Sequence, residues 1–441
     1  MTTPDDTPAG RGEPEAPVSD SPAPARGFSR RGLLFGAAAA GGLAAGALGG
    51  GAAGFALGRG PEASGDVIDL SQTHDFYAPA GAPREQSGIT TAVQRYSVFM
   101  TFDYTGAGAS DLQVLLARWS AAIAQLMAGR TIGQVEPERV DAAGKDTGEA
   151  LDLDPASLTV TLGLGPGIFS DRTGLAAQRP ALLRELTLPT GSLRADTTGG
   201  DFSLQACADD PQVAYHAIRA LARIGKETGS AATRWTVLGF GRTAAGKGQT
   251  TPRNLMGYKD GTRNIFDDDE LDQFVWVKDG PEWSRGGTYQ VVRKIQMRIE
   301  NWDTDRVSHQ NEVFGRHKVS GAPLTGTNEF DTPDFSATDA SGAPVIAPTA
   351  HIRLAAHENN GGVKILRRGF NYTDGINEFG LLDGGLLFIS YQNDPAAFER
   401  LQARLNSADA LNEYISHIGS GIFFVPPAPA QGSYIGAGLF A

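Results

Sequence analysis

The order in which the hydrophobic period changes between Tyr96 and Phe240 constrains this 441-residue chain more than any other feature. Tyr96 to Tyr104 is aromatic and β-branched enough to form a strand. Asp111 to Met127 then carries Leu112, Leu115, Leu116, Trp119, Ile123, Leu126 and Met127 at helical spacing, with Ser110 placed to cap the helix. Leu158 to Leu164 alternates as a strand and Phe202 to Ala208 is another. Pro211 to Ile224 reads as a helix opened by proline, and Trp235 to Phe240 closes the series. The pattern is β-α-β-β-α-β.

A looser version of the same order follows. Tyr289 to Ile299 reads as a strand, Arg306 to Phe314 as a short helix, and Lys364 to Tyr372 and Gly385 to Gln392 as strands. Ala396 to Leu405 is a helix opened by Asp394-Pro395, and Gly421 to Val425 is a last strand stopped by Pro426-Pro427. Each run fits a ferredoxin-like unit. The expected fold is α+β, a barrel-like duplication of two such units, the first over residues 90–255 and the second over 256–430. The polar, Gly/Pro-rich segment 315–349 has no period and reads as an insertion, and loops of that length in compact domains are usually functional. It leads directly into His351, where it would cover or position a site.

The chain ahead of these runs has a different character. Residues 1–27 are rich in Pro, Ala, Gly and acidic residues and cannot bury a core. Ser29-Arg30-Arg31-Gly32-Leu33-Leu34-Phe35 then opens a Gly/Ala-rich run with no charge before Arg59. An arginine pair ahead of a mildly apolar tract resembles a twin-arginine export signal, so residues 1–64 are expected to be a leader, cleaved between Gly58 and Ala63. Such export carries folded proteins, often with a cofactor already inserted, and would bring the chain to the membrane only in transit. Uncleaved, the segment would be an anchor. Net charge is -12, and residues 1–59 contribute nothing because five acidic residues offset five arginines. The folded part is therefore acidic, which argues against sequence-independent nucleic-acid binding. A single cysteine, Cys207, excludes an intramolecular disulfide and any multi-cysteine metal site.

Two stretches carry groups with chemistry. Asn254-Leu255-Met256-Gly257-Tyr258-Lys259-Asp260-Gly261-Thr262-Arg263-Asn264 sets one aspartate between glycines, which lets the backbone turn tightly and bring the carboxylate into a site. An Asp-Gly surface turn would look the same. His351-Ile352-Arg353-Leu354 and Val363-Lys364-Ile365-Leu366-Arg367-Arg368-Gly369 place an imidazole and two guanidiniums in short apolar segments. The first is a common metal ligand and the second can stabilise a developing oxyanion.

Gly-x-x-Asp-Gly, His before Ile-Arg-Leu, Leu-Arg-Arg-Gly and Gly385-Leu386-Leu387-Phe388-Ile389-Ser390-Tyr391-Gln392 occur in one order behind an export signal. In that combination the chain resembles the dye-decolorising (DyP-type) haem peroxidases, over about residues 90–430, and in particular their exported branch. The resemblance implies haem b in the C-terminal unit, with hydrogen peroxide and a bulky dye, phenol or other organic reductant as substrates. It implies that Asp260 is the distal acid-base residue, with Gly257 and Gly261 shaping its loop at the cofactor. His351 matches the axial ligand of the haem iron, Arg367 the distal arginine, and Leu386 and Phe388 the apolar lining of the distal pocket. Glu413 matches an acidic residue that accepts a hydrogen bond from the ligating histidine. Some branches carry an asparagine two residues after the distal arginine; here Gly369 stands there, so no amide assistance is expected. Part of the exported branch releases iron from haem, so a deferrochelatase with iron-transport partners stays open, as do a non-catalytic haem carrier and association of copies of the chain.

The residue chemistry agrees with those roles. A peroxidase must move a proton between the two oxygens of peroxide and stabilise charge as the O–O bond breaks, which a carboxylate and an arginine can do. His357, in a polar segment, is the rival ligand to His351. His309, His317 and His417 lack the close helical spacing of a zinc enzyme, and His74 and His216 have no acidic context. Trp235, Trp276, Trp283, Trp302, Tyr258, Tyr372 and Tyr391 are candidates to relay electrons from reductants too large to reach the iron; packing accounts for most of them equally well.

Overall fold

The computed structural model describes residues 68–441 apart from 82–83, 140, 187–191, 243 and 245–248. Contacts divide the chain into Met1–Gly65 and Asp66–Ala441, and all that follows concerns the second unit; the arginine pair and the run behind it lie outside the described residues. No helix among the described residues is long and apolar enough to cross a membrane.

The first six elements are β1 (Tyr96–Tyr104), α1 (Ala109–Met127), β2 (Thr159–Leu164), β3 (Phe202–Ala208), α2 (Pro211–Thr228) and β4 (Ala231–Phe240). Their order is the one the hydrophobic periods predict. α1 starts earlier than expected, at Ala109, so Ser110 is not its cap. The Asp111 carboxylate reaches back instead and accepts from the Ala107 N–H at 2.8 Å. α2 begins as its sequence demands: Pro211 needs no N–H partner, and Asp210 Oδ1 accepts from the N–H groups of Gln212 and Val213 at 2.7 and 3.1 Å. The apolar faces of the two helices meet around Trp119, which is fully buried between Phe102 and Phe202 and donates its indole N–H to Leu221 O at 2.8 Å.

The second run is α3 (Asp268–Phe274), β5 (Thr288–Met297), α4 (Ile299–Thr304), α5 (Val307–Phe314), α6 (His351–Ala355), β6 (Leu366–Arg367), β7 (Phe370–Ile376), β8 (Leu382–Gln392), α7 (Pro395–Ala408) and β9 (Ile415–Val425). The single strand expected over 364–372 is broken at Arg368 and Gly369. Arg367 faces Ser390 and Phe370 faces Leu387, so the chain advances three residues on both strands and the register is unchanged across the break. His351–Leu354, expected only as a short apolar segment, opens α6. Segment 315–349 contains no helix or strand, only isolated bridges.

All nine strands found among the described residues belong to one antiparallel sheet of order β5-β9-β2-β3-β1-β4-β7-β8-β6, and β5 also pairs with β8. That pairing closes eight strands into a barrel. Closure leaves two faces for each strand. On β5 and β8 one set of alternate residues, including Val292, Leu387, Ile389 and Tyr391, joins an apolar cluster with Phe99, Val237 and Phe423 inside the barrel. The other set, Arg293, Ile295, Met297, Leu386 and Phe388, faces outward onto a pocket roofed by residues of α5, α6 and α7. On β9 the register slips: Lys294 faces Gly419 but Ile295 faces His417, so Ile418 is an extra residue, a β-bulge. The bulge turns His417 outward, into the same pocket.

Candidate active site

The loop that presents Asp260 is folded on itself before it meets anything else. Asn254 accepts on its side-chain oxygen from the N–H groups of Met256 and Tyr258 at 3.1 and 3.2 Å, and its own N–H donates to Tyr258 O at 3.0 Å. Gly257 (φ +85°) and Gly261 (φ +126°) take conformations that a side chain would strain, and a Cβ at Gly257 would lie 2.7 Å from Lys318 Cε. The Asp260 N–H donates to Pro252 O at 2.9 Å. The result is a carboxylate aimed into the pocket, where it forms an ion pair with Arg367 Nη1.

Arg367 is fixed from its main chain. Its N–H donates to Asn264 Oδ1 at 2.8 Å, and Asn264 Nδ2 donates to its carbonyl at 2.9 Å. Asn264 thereby joins the Asp260 loop to the strand that carries the arginine. Nothing in the motif reading singled it out, because an amide bonded to backbone leaves no spacing pattern. The neighbouring Arg368 points the other way, as strand alternation requires, and is 2% exposed; it donates to Thr91 O and Gln94 Oε1 and takes no part in the pocket.

His351 lines the pocket from the first turn of α6, with the Phe314 ring 6.0 Å from its own. Its Nδ1 bonds Asp409 Oδ2 at 2.6 Å. This corrects the expectation for Glu413. Asp409 is the N-cap of the turn Ala410–Glu413, holding the Leu411 N–H on Oδ1 at 2.9 Å, and its buried second oxygen is left for the imidazole. Glu413, at the far end of that turn, is exposed, and its carbonyl accepts from Arg298 Nη1 at 2.9 Å. Removal from water pulls the His351 pKa down, but the charge and hydrogen bond of Asp409, with Asp260 adding to them, outweigh this and raise it.

The pocket floor carries two groups that the sequence did not place there. Burial, then the charge of Arg293, pushes His417 down to about 4, so its imidazole is neutral at ordinary pH. Arg293 itself is pushed down to about 10 by burial, with Glu399 opposing, and stays charged. Leu386 and Phe388 form an apolar wall beside them. His357 also borders the pocket but is turned toward Glu358 at 3.5 Å. His216 departs from its sequence reading: it is buried between Asp146 and Glu149, at 3.5 and 3.2 Å, where the loop after α1 folds back onto α2. Among the described residues no group of three or more His, Cys, Asp or Glu could hold a bare metal ion. The site can therefore hold a largely apolar group with an anionic edge, offer it an imidazole, and keep a carboxylate and a guanidinium nearby.

Known proteins share this architecture. The family model for Dyp-type peroxidase, C-terminal, matches residues 251–430, and that for Dyp-type peroxidase, N-terminal, matches residues 86–241. A deferrochelatase of Yersinia pestis bv. Antiqua (strain Nepal516) is 36% identical over 388 residues, covering 85% of this chain and 86% of the relative. That of Escherichia coli (strain K12) is 38% identical over 368 residues, covering 80% and 85%. Among solved structures, an oxyferrous complex of DtpA from Streptomyces lividans superposes with a TM-score of 0.76 at 38% identity, over 84% of this chain and 98% of that one. A DyP-type peroxidase from Cellulomonas bogoriensis gives 0.72 at 35% identity, over the same shares.

Proposed function

Because this chain belongs to the Dyp-type peroxidase family, we propose that His351 binds the haem iron and that Asp260 and Arg367 act on hydrogen peroxide in the same pocket. The enzyme is a haem peroxidase, an oxidoreductase that uses hydrogen peroxide and a reductant.

The residues fit the cofactor. With Nδ1 engaged by Asp409, the remaining ring nitrogen of His351 is the one left to coordinate, and the hydrogen-bonded carboxylate fixes the tautomer and makes the imidazole a stronger donor. Leu386 and Phe388 suit a porphyrin face. His417 Nδ1 is buried without a hydrogen-bond partner among the described residues, and a porphyrin carboxylate beside Arg293 would satisfy it. The single cysteine is buried on β3, which leaves no thioether attachment and favours non-covalent haem b, one per chain. Apart from Asn254, every lining residue falls between Met256 and His417, which supports a cofactor held by the second of two ferredoxin-like units.

Bound haem supplies the iron on which peroxide is reduced and where the oxidising equivalents are stored. The observation that carries the reading is the Asp260–Arg367 pair in that pocket. Asp260 takes the proton from one peroxide oxygen and returns it to the other, which then leaves as water, while Arg367 stabilises the charge that develops on it. Two electrons and two further protons complete the reduction to two waters. The electrons come from a dye, phenol or other bulky reductant. The twin-arginine pattern supports export, which would put this chemistry outside the cytoplasm.

A second reading rests on the curated relatives that carry the name deferrochelatase, which would make iron release from haem the task and iron-transport proteins the partners. An absorption spectrum before and after one equivalent of peroxide separates the two. The peroxidase reading expects a haem band, lost in His351→Ala, and a new spectral species within one turnover. A band that changes only into that of metal-free porphyrin would favour iron release. Full haem retention in His351→Ala, with an unchanged histidine-ligated spectrum, would make another residue the ligand.

A further inference from the structure

We propose that Glu329 positions Asp260 by keeping Lys259 away from it. This rests on the reading of Asp260 as the proton carrier. Asp260 pairs with Arg367 across the pocket, and Lys259 stands next to it in the chain. Lys259 is occupied elsewhere: its ammonium pairs with Glu329, a residue of the 315–349 insertion. The other Glu329 oxygen accepts from Thr262 Oγ1 at 3.0 Å, so one carboxylate holds a side chain on each side of Asp260-Gly261.

The insertion is shaped for that grip. The Glu329 carbonyl accepts from Arg316 Nη1 at 3.0 Å, and the same nitrogen donates to Gly321 O at 2.6 Å, which ties residues 321 and 329 of the insertion to one guanidinium that is 5% exposed. The Lys259 stem runs over Gly321, where a Cβ would lie 2.6 Å from Lys259 Cδ. The paired side chains are only 20% and 10% exposed, so this ion pair is shielded from water, unlike a surface salt bridge. Burial alone would push the Glu329 carboxyl up, but hydrogen bonds from Lys259 and Thr262 bring it below its ordinary value and keep it charged. Removing that charge strands an ammonium one residue from the Asp260 carboxylate. Lys259 would then compete with Arg367 for it and weaken the Asp260–Arg367 pair.

The test is rapid mixing of the haem-loaded full chain with hydrogen peroxide, following the haem band. Glu329→Gln should load haem normally and react about tenfold more slowly, the scale of coupling between charged neighbours. Lys259→Met keeps the stem over Gly321 without the charge, and should react within about threefold of wild type. The double variant should recover the Lys259→Met rate. A wild-type rate in Glu329→Gln overturns the proposal. So does a double variant as slow as Glu329→Gln, or a loss of haem uptake that Lys259→Met does not restore, because either would mean that Glu329 only supports the loop. Asp260→Asn runs alongside: a fast Asp260→Asn removes the proton-carrier reading itself, whereas a slow one beside a fast Glu329→Gln removes only the role of Glu329.

Discussion

Asp409 and Glu413 are both acidic and lie four residues apart, yet only one touches His351. The difference is local: a cap residue must turn its side chain inward to meet the N–H groups it serves, and Asp409 has a second oxygen to spare. Asp409→Asn should weaken haem retention by about 10- to 100-fold and shift the spectrum toward a weaker axial ligand, whereas Glu413→Gln should leave both unchanged. Titrating haem out to an apoprotein acceptor measures this, and equal effects of the two substitutions would reject the assignment. Asp260, His351 and Arg367 were singled out in the sequence through the resemblance that their motifs carry in combination, Gly-x-x-Asp-Gly, His before Ile-Arg-Leu and Leu-Arg-Arg-Gly, and the fold brings all three to one pocket. Asp409 was not, since an Asp before Ala-Leu-Asn is an ordinary cap until the fold brings an imidazole to it. Asn264 was hidden for a related reason, its bonds being to main chain.

At the scale of elements, the strand and helix order was readable because it rests on hydrophobic period alone, and the breaks in that order were not. The bulge at Ile418 is set by pairing with β5, a long-range condition, and it reverses which face His417 occupies. Its consequence is a half-buried imidazole whose pKa lies below the ordinary value of 6.5, at about 4. In the unfolded chain that group takes up its proton near 6.5 and in the folded chain only near 4, so the unfolded state binds more protons between these values. The stability tied to a neutral His417 is therefore intact above about pH 6.5, falls as pH drops toward 4, and amounts to on the order of 3 kcal/mol at most. Urea unfolding of haem-free protein at pH 7 and pH 4 should show a loss for wild type that is smaller in His417→Asn. An identical loss in both would mean that His417 is not held neutral. The short helices α3, α4 and α6 were missed because each is a turn or two stabilised by packing rather than by its own periodicity.

For the molecule as a whole, the acid balance of the chain contrasts with a pocket floor that carries a buried arginine, as expected of a protein that must stay soluble while holding an anionic flat cofactor. Barrel closure through β5 and β8 hydrogen-bonds that floor along both strands, and the insertion and helices roof it from outside. Folding before export would protect such a site, and replacing Arg30 and Arg31 by Lys should leave folded, haem-loaded enzyme in the cytoplasm. Undiminished appearance outside the cell in a fractionation assay would remove the twin-arginine reading. Asp260 and Arg367 are proposed to activate peroxide together, which stopped-flow mixing of fully haem-loaded variants with peroxide puts to the test. Asp260→Asn should slow the first spectral change by about 10²- to 10⁴-fold and Arg367→Leu by about 10²- to 10³-fold. A wild-type rate in either single variant would contradict the account.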